Sequence, residues 1–230
     1  IRLLNRHDIE VVVPKGINCC GSLNHHLGKS ELANQTFKKN ILIWYDEYLK
    51  NGLDAIISNT SGCGTTLKDY GFVFRDDSEF KKKAKKISEL TKDITEFLDQ
   101  NLKLSFKLDK AAKKYNIAYH SACSMQHGQN VHRQPLGLLE KTGNKILNIP
   151  EGHICCGSAG TYNILQSDIA KKLLRQKVEN INKVKPDFIS TGNIGCIMQI
   201  TNGTKIPILH TVEVIDWYTG GPKPKSLSSL

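Results

Sequence analysis

Short apolar runs of strand length alternate with amphipathic helical patterns along this chain. The apolar runs lie at residues 9–13, 53–57, 116–120, 145–149 and 188–190. The stretches between them have the spacing of amphipathic helices. Strands that alternate with helices predict an α/β fold with mainly parallel sheets and right-handed crossovers.

The longest helical pattern lies near the middle of the chain. Residues 78–103 contain no Pro or Gly, and their apolar stripe includes Ile87, Leu90 and Ile94. Such a stripe is typical of a helix with one buried face. We therefore predict a single helix over residues 78–103, followed by a connector over residues 104–114.

An internal repeat organises the chain. The motif Pro-x-Gly-x-x-Cys-Cys-Gly-Ser occurs at residues 14–22 and again at residues 150–158. A second matching pair, a strand that leads into Gly-Cys, ends at Cys63 and at Cys196, so the two offsets are 136 and 133 residues. We predict two similar Rossmann-like half-domains, each with a mainly parallel sheet.

The register of the repeat predicts that the chain begins inside its first copy. Cys123 follows a predicted strand of the second half, and its counterpart in the first half would fall before Ile1. We accordingly expect the C-terminal part of a longer protein. The predicted domains are a truncated first repeat over residues 1–103 and a second repeat over residues 104–230.

All of the cysteines lie where a predicted strand ends or a predicted helix begins. Parallel sheets collect ligands beyond the carboxyl ends of their strands, so cysteines far apart in sequence are brought together. Helix N-termini favour the thiolate form of cysteine. Two adjacent cysteines reach one centre only if the chain turns sharply, and Gly21 and Gly157 are free to take the positive φ that this turn requires.

The cysteine count predicts metal ligation. Four thiols in one repeat are the number required by a [4Fe–4S] cluster or by a structural zinc ion, and spacing alone does not choose between them. Seven cysteines, with two adjacent pairs, fit a secreted disulfide framework poorly and indicate a reducing compartment, the cytoplasm. The predicted ligands are Cys19, Cys20 and Cys63 in the first repeat and Cys123, Cys155, Cys156 and Cys196 in the second.

Three histidines lie close to these cysteines in sequence. His25 and His26 follow Cys20 and would either supplement the three thiols of the first repeat or cap a helix and line a subunit interface. His120 precedes Cys123 at a strand end, where it would hydrogen-bond a cluster sulfur or hold a ligand residue in position without binding the metal itself.

The net charge of +10 does not indicate a nucleic-acid partner. The densest basic run, residues 81–86, lies on a helical pattern without interleaved aromatic residues that would stack on bases. This run is predicted to be a solvated helix face. No apolar run approaches the roughly 18 residues needed to cross a bilayer, so any membrane association would be peripheral, at the inner face of the plasma membrane.

The cysteine blocks resemble the cysteine-rich CCG domain family, and within it the iron–sulfur subunits of glycolate oxidase. The Cys-Cys-Gly motifs at residues 19–21 and 155–157 carry this resemblance, together with the blocks 61–71, 192–196 and 210–222. The likeness extends over nearly all of the 230 residues.

The resemblance implies an electron-transfer subunit. In that family, an N-terminal segment with two [4Fe–4S] clusters precedes this region, and a flavoprotein subunit containing FAD oxidises glycolate to glyoxylate. Electrons then pass toward a membrane acceptor. All seven cysteines would hold iron–sulfur centres, in one subunit of a flavin-linked 2-hydroxy-acid dehydrogenase. Substrate oxidation would belong to the partner chain, so no catalytic residue is predicted here.

Departures from the family pattern leave alternatives open. The chain has no Cys-x-x-Cys-x-x-Cys motif, and Cys63 and Cys196 stand alone where related domains of heterodisulfide reductase end in Cys-x-x-Cys. Zinc in one repeat is therefore an alternative to a cluster. Subunits of lactate-utilisation and anaerobic glycerol-3-phosphate dehydrogenase systems share the CCG architecture. The competing class is a zinc-stabilised scaffold that only docks partner subunits.

Overall fold

The computed structural model describes residues 1–107 and 113–228, which divide into two compact units. The first unit comprises Leu3–Asp93 and the second Ile94–Leu230. Both contain parallel strands connected through helices, which confirms the predicted α/β class. Within the described residues, no helix is long and apolar enough to cross a membrane.

The first unit is mainly helical and contains a short sheet. Its helices are α1 (Arg2–Asn5), α2 (Ser22–His26), α3 (Ser30–Asn51), α4 (Ser61–Val73) and α5 (Lys81–Leu90). Its strands are β1 (Ile56–Ser58) and β2 (Thr91–Asp93), which pair in parallel with Ile56 opposite Thr91.

Aromatic side chains fill the core between α3, α4 and α5. Phe37 and Tyr70 are fully buried, and their ring centroids lie 4.5 Å apart. Phe74 and Phe80 extend the same cluster, and Ile87 contributes to it from α5. Aromatic pairs at this separation stabilise a core beyond the area that they bury. The cluster holds α3 and α4 together, and Cys20 of the first Cys-Cys-Gly loop packs in the same core.

The single helix predicted over residues 78–103 is wrong. The structure has α5, then strand β2, then α6 (Ile94–Asn101). At Thr91 the backbone becomes extended, with ψ 126°, while the Thr91 hydroxyl donates a hydrogen bond to the Ile87 carbonyl oxygen at 2.8 Å. Pairing with β1 satisfies the backbone groups of β2, so tertiary pairing overrides the local helical pattern.

The strand predicted over residues 9–13 is also wrong. These residues have neither helix nor strand structure, and the Val12 and Val13 side chains are 48% and 72% exposed. A strand requires a partner edge for its backbone hydrogen bonds. Among the described residues, the sheet of the first unit contains only β1 and β2, so this apolar run has no pairing partner.

The second unit contains a four-stranded parallel sheet in the order β4-β3-β5-β6. The strands are β3 (Asn116–Tyr119), β4 (Lys145–Leu147), β5 (Phe188–Thr191) and β6 (Ile208–His210). Besides α6, the helices are α7 (Arg133–Glu140), α8 (Tyr162–Leu165), α9 (Ser167–Lys183), α10 (Ile194–Thr201) and α11 (Thr211–Tyr218), with a π-helical turn at Ser124–Gly128 and a 3-10 turn at Lys225–Leu227.

The strand order creates a crevice between β3 and β5. From β3 the chain crosses to β4 on one side, whereas from β5 it continues to β6 on the other. Such a reversal opens a cleft beyond the carboxyl ends of the two central strands, where α/β proteins bind ligands. Ile117 and Phe188 are paired in register and fully buried, so the two central strands that end at this crevice are anchored in the core.

The first compact unit ends earlier in the chain than the predicted first repeat. The compact units separate between Asp93 and Ile94, so α6 lies in the second unit, where it packs against α7. Residues 102–107 have neither helix nor strand structure, and residues 108–112 of the predicted connector lie outside the described residues. The boundary of the sequence repeats at residue 103 stays a prediction.

Candidate metal centres

Four sulfur atoms converge at the β3–β5 crevice of the second unit. The Cys155 sulfur interacts with the thiols of Cys123 and Cys156, and Cys156 interacts in turn with Cys196. Cys156 and Cys196 are almost fully buried. We refer to Cys123, Cys155, Cys156 and Cys196 as the second cysteine set.

Strand ends position the outer members of this set. Cys123 lies four residues beyond the end of β3, and Cys196 lies in the first turn of α10, directly after β5. The side chain of Asn193 caps α10 by accepting a hydrogen bond from the Gly195 amide at 3.1 Å. This cap orients the first turn of the helix, so the Cys196 sulfur is presented to the crevice.

Gly157 turns the chain so that two adjacent cysteines reach the same crevice. Its φ is +91°, a conformation that side chains rarely adopt, and its amide donates a hydrogen bond to the Cys155 sulfur at 3.3 Å. A Cβ atom at this position would lie 2.5 Å from the Ala170 carbonyl oxygen of α9. The predicted positive φ is confirmed, and the close approach is to a helix backbone.

The corresponding residues of the first unit form a smaller group, the first cysteine set of Cys19, Cys20 and Cys63. The sulfur atoms of Cys20 and Cys63 lie 3.0 Å apart, and the Gly21 amide donates to the Cys19 sulfur at 3.4 Å. Gly21 has φ +80°, as predicted for the turn after the cysteine pair. Cys19 is exposed to solvent, whereas Cys20 is buried.

Two buried polar side chains hold the main chain of the first cysteine set. The Tyr70 hydroxyl donates a hydrogen bond to the Cys20 carbonyl oxygen at 2.8 Å. Asn40, on α3, donates to the Cys19 carbonyl oxygen at 2.9 Å. Burial raises the pKa of Tyr70, so its hydroxyl keeps the proton that it donates. The role of Asn40 was not predicted, because a lone Asn within a helical pattern carries no signal of its contact.

Comparison with protein families also divides the chain into two segments, one for each cysteine set. The model of the cysteine-rich domain family, CCG, matches residues 1–68 and 117–201. The chain belongs to the CCG family. Each matched segment of this CCG protein contains one complete cysteine set. The resemblance inferred from the sequence motifs is thereby confirmed.

Relatives of the CCG protein include iron-sulfur subunits of glycolate oxidase and lactate utilization proteins. It is 32% identical over 217 residues to the glycolate oxidase iron-sulfur subunit of Escherichia coli (strain K12), a match that covers 94% of this chain and 52% of the relative. It is 29% identical over 223 residues to lactate utilization protein A of Geobacillus thermodenitrificans (strain NG80-2), covering 94% of this chain and 90% of the relative. The probable glycolate oxidase iron-sulfur subunit of Bacillus subtilis (strain 168) is 29% identical over 225 residues, with 94% and 49% covered. The chain thus spans about half the length of the glycolate oxidase subunits.

His120 joins the second cysteine set of the CCG protein. It is only 2% exposed, and a ring nitrogen lies with the sulfurs of Cys156 and Cys196 in a group whose ligand atoms are all within 4.8 Å of one another. Among the described residues, neither ring nitrogen has a hydrogen-bond partner of normal geometry. A buried imidazole in this situation is costly unless a further group binds it. The sequence singled out His120 as a supporting residue, whereas the structure brings it within the distance of a ligand.

The protons of the second cysteine set are shared between neighbouring sulfurs. Hydrogen bonds from Cys123 and Cys156 lower the pKa of Cys155, and a hydrogen bond from Cys156 lowers that of Cys196 to about 5. The donors show the opposite effect, since their bonds to these sulfurs and their burial raise the pKa of Cys123 and Cys156. Thiolates and thiols therefore alternate along the set.

The first cysteine set shows the same alternation over one pair. The hydrogen bond between the two sulfurs raises the pKa of Cys20 and lowers the pKa of Cys63. His25 packs on the Phe37 ring at a centroid distance of 5.6 Å. Burial raises the pKa of Asp69, and Coulomb interactions with His25 and His26 partly oppose this rise. Their predicted participation as metal ligands stays a prediction.

The donor chemistry of the second cysteine set fits a thiophilic metal centre. The set offers four sulfurs, each in contact with its neighbour in the order Cys123, Cys155, Cys156, Cys196, and a buried imidazole beside the last two. Thiolates and imidazoles are the ligands that iron–sulfur clusters and zinc take in proteins. Burial of Cys156 and Cys196 keeps water away from such a centre, while Cys123 and Cys155 are partly open. The first cysteine set offers three sulfurs, one of them at the surface.

Proposed function

We propose that this CCG protein is an iron–sulfur electron-transfer subunit of a flavin-linked 2-hydroxy-acid dehydrogenase of the glycolate oxidase type. The observation that carries the proposal is the convergence of four sulfurs and a buried imidazole at the β3–β5 crevice. The names of the relatives support the same function, since two of them are iron-sulfur subunits of glycolate oxidase.

Each cysteine set would hold one centre in this proposal. The second set, Cys123, Cys155, Cys156 and Cys196, has the four cysteine ligands that a [4Fe–4S] cluster requires, with zinc as the alternative for either set. When bound, an iron–sulfur cluster supplies one-electron storage and transfer. The chain itself supplies the thiolates, excludes water around Cys156 and Cys196, and donates the Gly157 amide to the Cys155 sulfur.

Substrate oxidation belongs to a partner in this proposal. A flavoprotein subunit with bound FAD would oxidise glycolate to glyoxylate and pass electrons to the CCG protein, which would deliver them toward a membrane acceptor from the cytoplasmic face. Lactate is the second candidate substrate of the assembly. The name of one relative, lactate utilization protein A, supports that alternative.

Analysis of iron and acid-labile sulfide tests the metal part of the proposal. Protein purified or reconstituted without oxygen should contain iron and sulfide in comparable amounts. Reduction with dithionite should bleach the visible absorption that iron–sulfur clusters produce. Zinc without sulfide would instead identify a structural scaffold and contradict the proposal.

Reconstitution with the flavoprotein subunit tests the electron-transfer part. Under anaerobic conditions, addition of glycolate should bleach the iron–sulfur absorption of the CCG protein only when the flavoprotein is present. The same experiment with lactate distinguishes the two candidate substrates. A loaded protein that stays oxidised with both substrates would contradict the proposed place in the electron path.

A further inference from the structure

A buried lysine lies beneath the second cysteine set. Lys177, in the middle of α9, is 1% exposed, and lysine is almost never fully buried unless a partner compensates its charge. Its ammonium group donates hydrogen bonds to the carbonyl oxygens of Glu151 and Gly152 at 3.3 and 3.2 Å. The Glu151 carboxylate is directed elsewhere, accepting from the amides of Asn180 and Gln176.

The charge of Lys177 interacts with the sulfurs across the loop. Burial lowers the pKa of Lys177, and Coulomb interactions with the sulfurs of Cys156, Cys155 and Cys196 and with the Glu151 carboxylate oppose this effect. The two carbonyl oxygens that Lys177 contacts belong to the loop that leads into Cys155. The lysine therefore supports the loop mechanically and also lies in the electrostatic field of the sulfurs.

The first unit performs the mechanical task without a charge. Helices α3 and α9 begin with similar residues, and Ala33 and Ala170, both buried, occupy the same position in each. Counted from these alanines, Asn40 in α3 and Lys177 in α9 occupy equivalent positions. Asn40 is also fully buried, and it donates to a carbonyl oxygen of the loop that precedes Gly21. Because a neutral amide suffices to hold that loop, the buried charge in the second unit requires a separate explanation.

We propose that Lys177 sets the reduction potential of the second centre by placing a fixed positive charge behind Cys155, Cys156 and Cys196. The inference rests on the proposed function. When one electron passes from the reduced flavin to the centre, the negative charge of the centre grows by one unit, and no bond or proton needs to change. A buried cation stabilises this added charge, because Coulomb interactions are strong where water is excluded. Lys177 is thus a positioning residue, which acts on the centre without binding it.

The test compares variants that separate charge from shape. All are made in the full chain with Cys63→Ser, so that the measured potential belongs to the second cysteine set. Lys177→Met and Lys177→Gln remove the charge, Lys177→Arg retains it, and Lys171→Met removes an exposed charge from the same helix. Each protein is loaded anaerobically, analysed for iron and sulfide, and titrated to determine the midpoint potential.

The two neutral variants should load but become harder to reduce. We expect the equilibrium constant for reduction to fall about tenfold, which corresponds to a midpoint potential about 59 mV lower for one electron. Lys177→Arg should stay close to the starting protein, and Lys171→Met should not change. Unchanged potentials in loaded Lys177→Met and Lys177→Gln would overturn the inference and leave the proposed function intact.

Loss of the centre is also informative. If the neutral variants fold but do not load while Lys177→Arg does, the charge is required to hold an anionic centre, which supports the inference. Failure of Lys177→Arg along with the neutral variants would overturn it, since shape would then decide. Absence of iron and sulfide from the protein with native Lys177 and native Cys63 would overturn the proposed function and this inference with it.

Discussion

The two cysteine sets are built on the same loop but differ in what surrounds it. In both, a glycine with positive φ follows an adjacent cysteine pair, and a third cysteine arrives from the helix that follows a strand. The second set adds Cys123, the buried His120 and the cation of Lys177. The first set has Asn40 in place of the lysine and an exposed Cys19.

This difference separates the function of the loop from the function of its surroundings. The loop delivers two sulfurs to one place, and it occurs both in a mainly helical unit and in a four-stranded α/β unit. The number of further donors, their burial and the nearby charge vary independently of the loop. We therefore expect the two sets to differ in metal affinity and in potential.

The largest effect is expected from the loss of one buried sulfur. Cys156→Ser should abolish the metal content of the second cysteine set, because Cys156 contacts both Cys155 and Cys196. The first set should keep its metal, and reduction of flavin by substrate in the partner subunit should be unaffected. Cys63→Ser is the matched variant in the first set. Iron and sulfide content measures both, and unchanged content in Cys156→Ser would remove Cys156 from the ligands.

The second largest effect is expected from replacement of Gly157, the loop glycine of the second unit, which should lower stability. Gly157→Ala introduces a Cβ atom 2.5 Å from the Ala170 carbonyl oxygen at a φ of +91°. We expect the free energy of unfolding to fall by about 2 to 5 kcal/mol, from the strained backbone and the overpacking together. Urea denaturation monitored by circular dichroism measures this change.

Two other glycines calibrate that result. Gly137→Ala, within α7 and with open space around it, should raise the free energy of unfolding by about 0.5 to 1 kcal/mol. Gly21→Ala in the first unit would place its Cβ atom 2.6 Å from the Phe37 ring. A free energy of unfolding that does not fall in Gly157→Ala would mean that the loop does not make this turn.

Metal uptake by the second cysteine set should strengthen as the pH rises. Cys123 and Cys156 have raised pKa values, so they are protonated at neutral pH and must release two protons before all four sulfurs can bind a metal. The affinity for zinc should therefore increase by about tenfold per pH unit for each proton released. Chelator competition between pH 6 and 8 in the Cys63→Ser protein measures it, and a flat profile would contradict the alternation of thiols and thiolates.

A smaller effect should follow removal of the Tyr70 hydroxyl from the first unit. Tyr70→Phe leaves the Cys20 carbonyl oxygen without its buried donor and should cost about 1 to 2 kcal/mol of unfolding free energy. Tyr45→Phe, half-buried on α3, is the control and should change stability by less than about 0.5 kcal/mol. An identical result for both tyrosines would mean that the hydroxyl does not support the cysteine loop.

Much of the second unit could be predicted from the sequence because its signals are local and repeated. Apolar runs located β3, β4 and β5, and the duplicated Cys-Cys-Gly motif required a turn that only glycine makes easily. The parallel arrangement then implied that cysteines at the strand ends would meet. The structure brings Cys123, Cys155, Cys156 and Cys196 together in this way.

The parts that could not be predicted depend on tertiary partners. Strand β2 lies within an uninterrupted helical pattern, and only its pairing with β1 reveals it. The apolar residues 9–13 lack such a partner and form no strand. Lys177 and Asn40 read as ordinary polar residues of amphipathic helices, since burial of a single side chain leaves no mark on the periodicity.

The two loop glycines should also respond differently to genetic selection. The obstacle facing position 157 is a main-chain oxygen of α9, which is present whatever residue occupies position 170. The obstacle facing position 21 is the aromatic ring of Phe37, which a mutation can make smaller. Revertants of a disabled Gly21 variant should thus include second-site suppressors at Phe37. Revertants at position 157 should regain glycine itself.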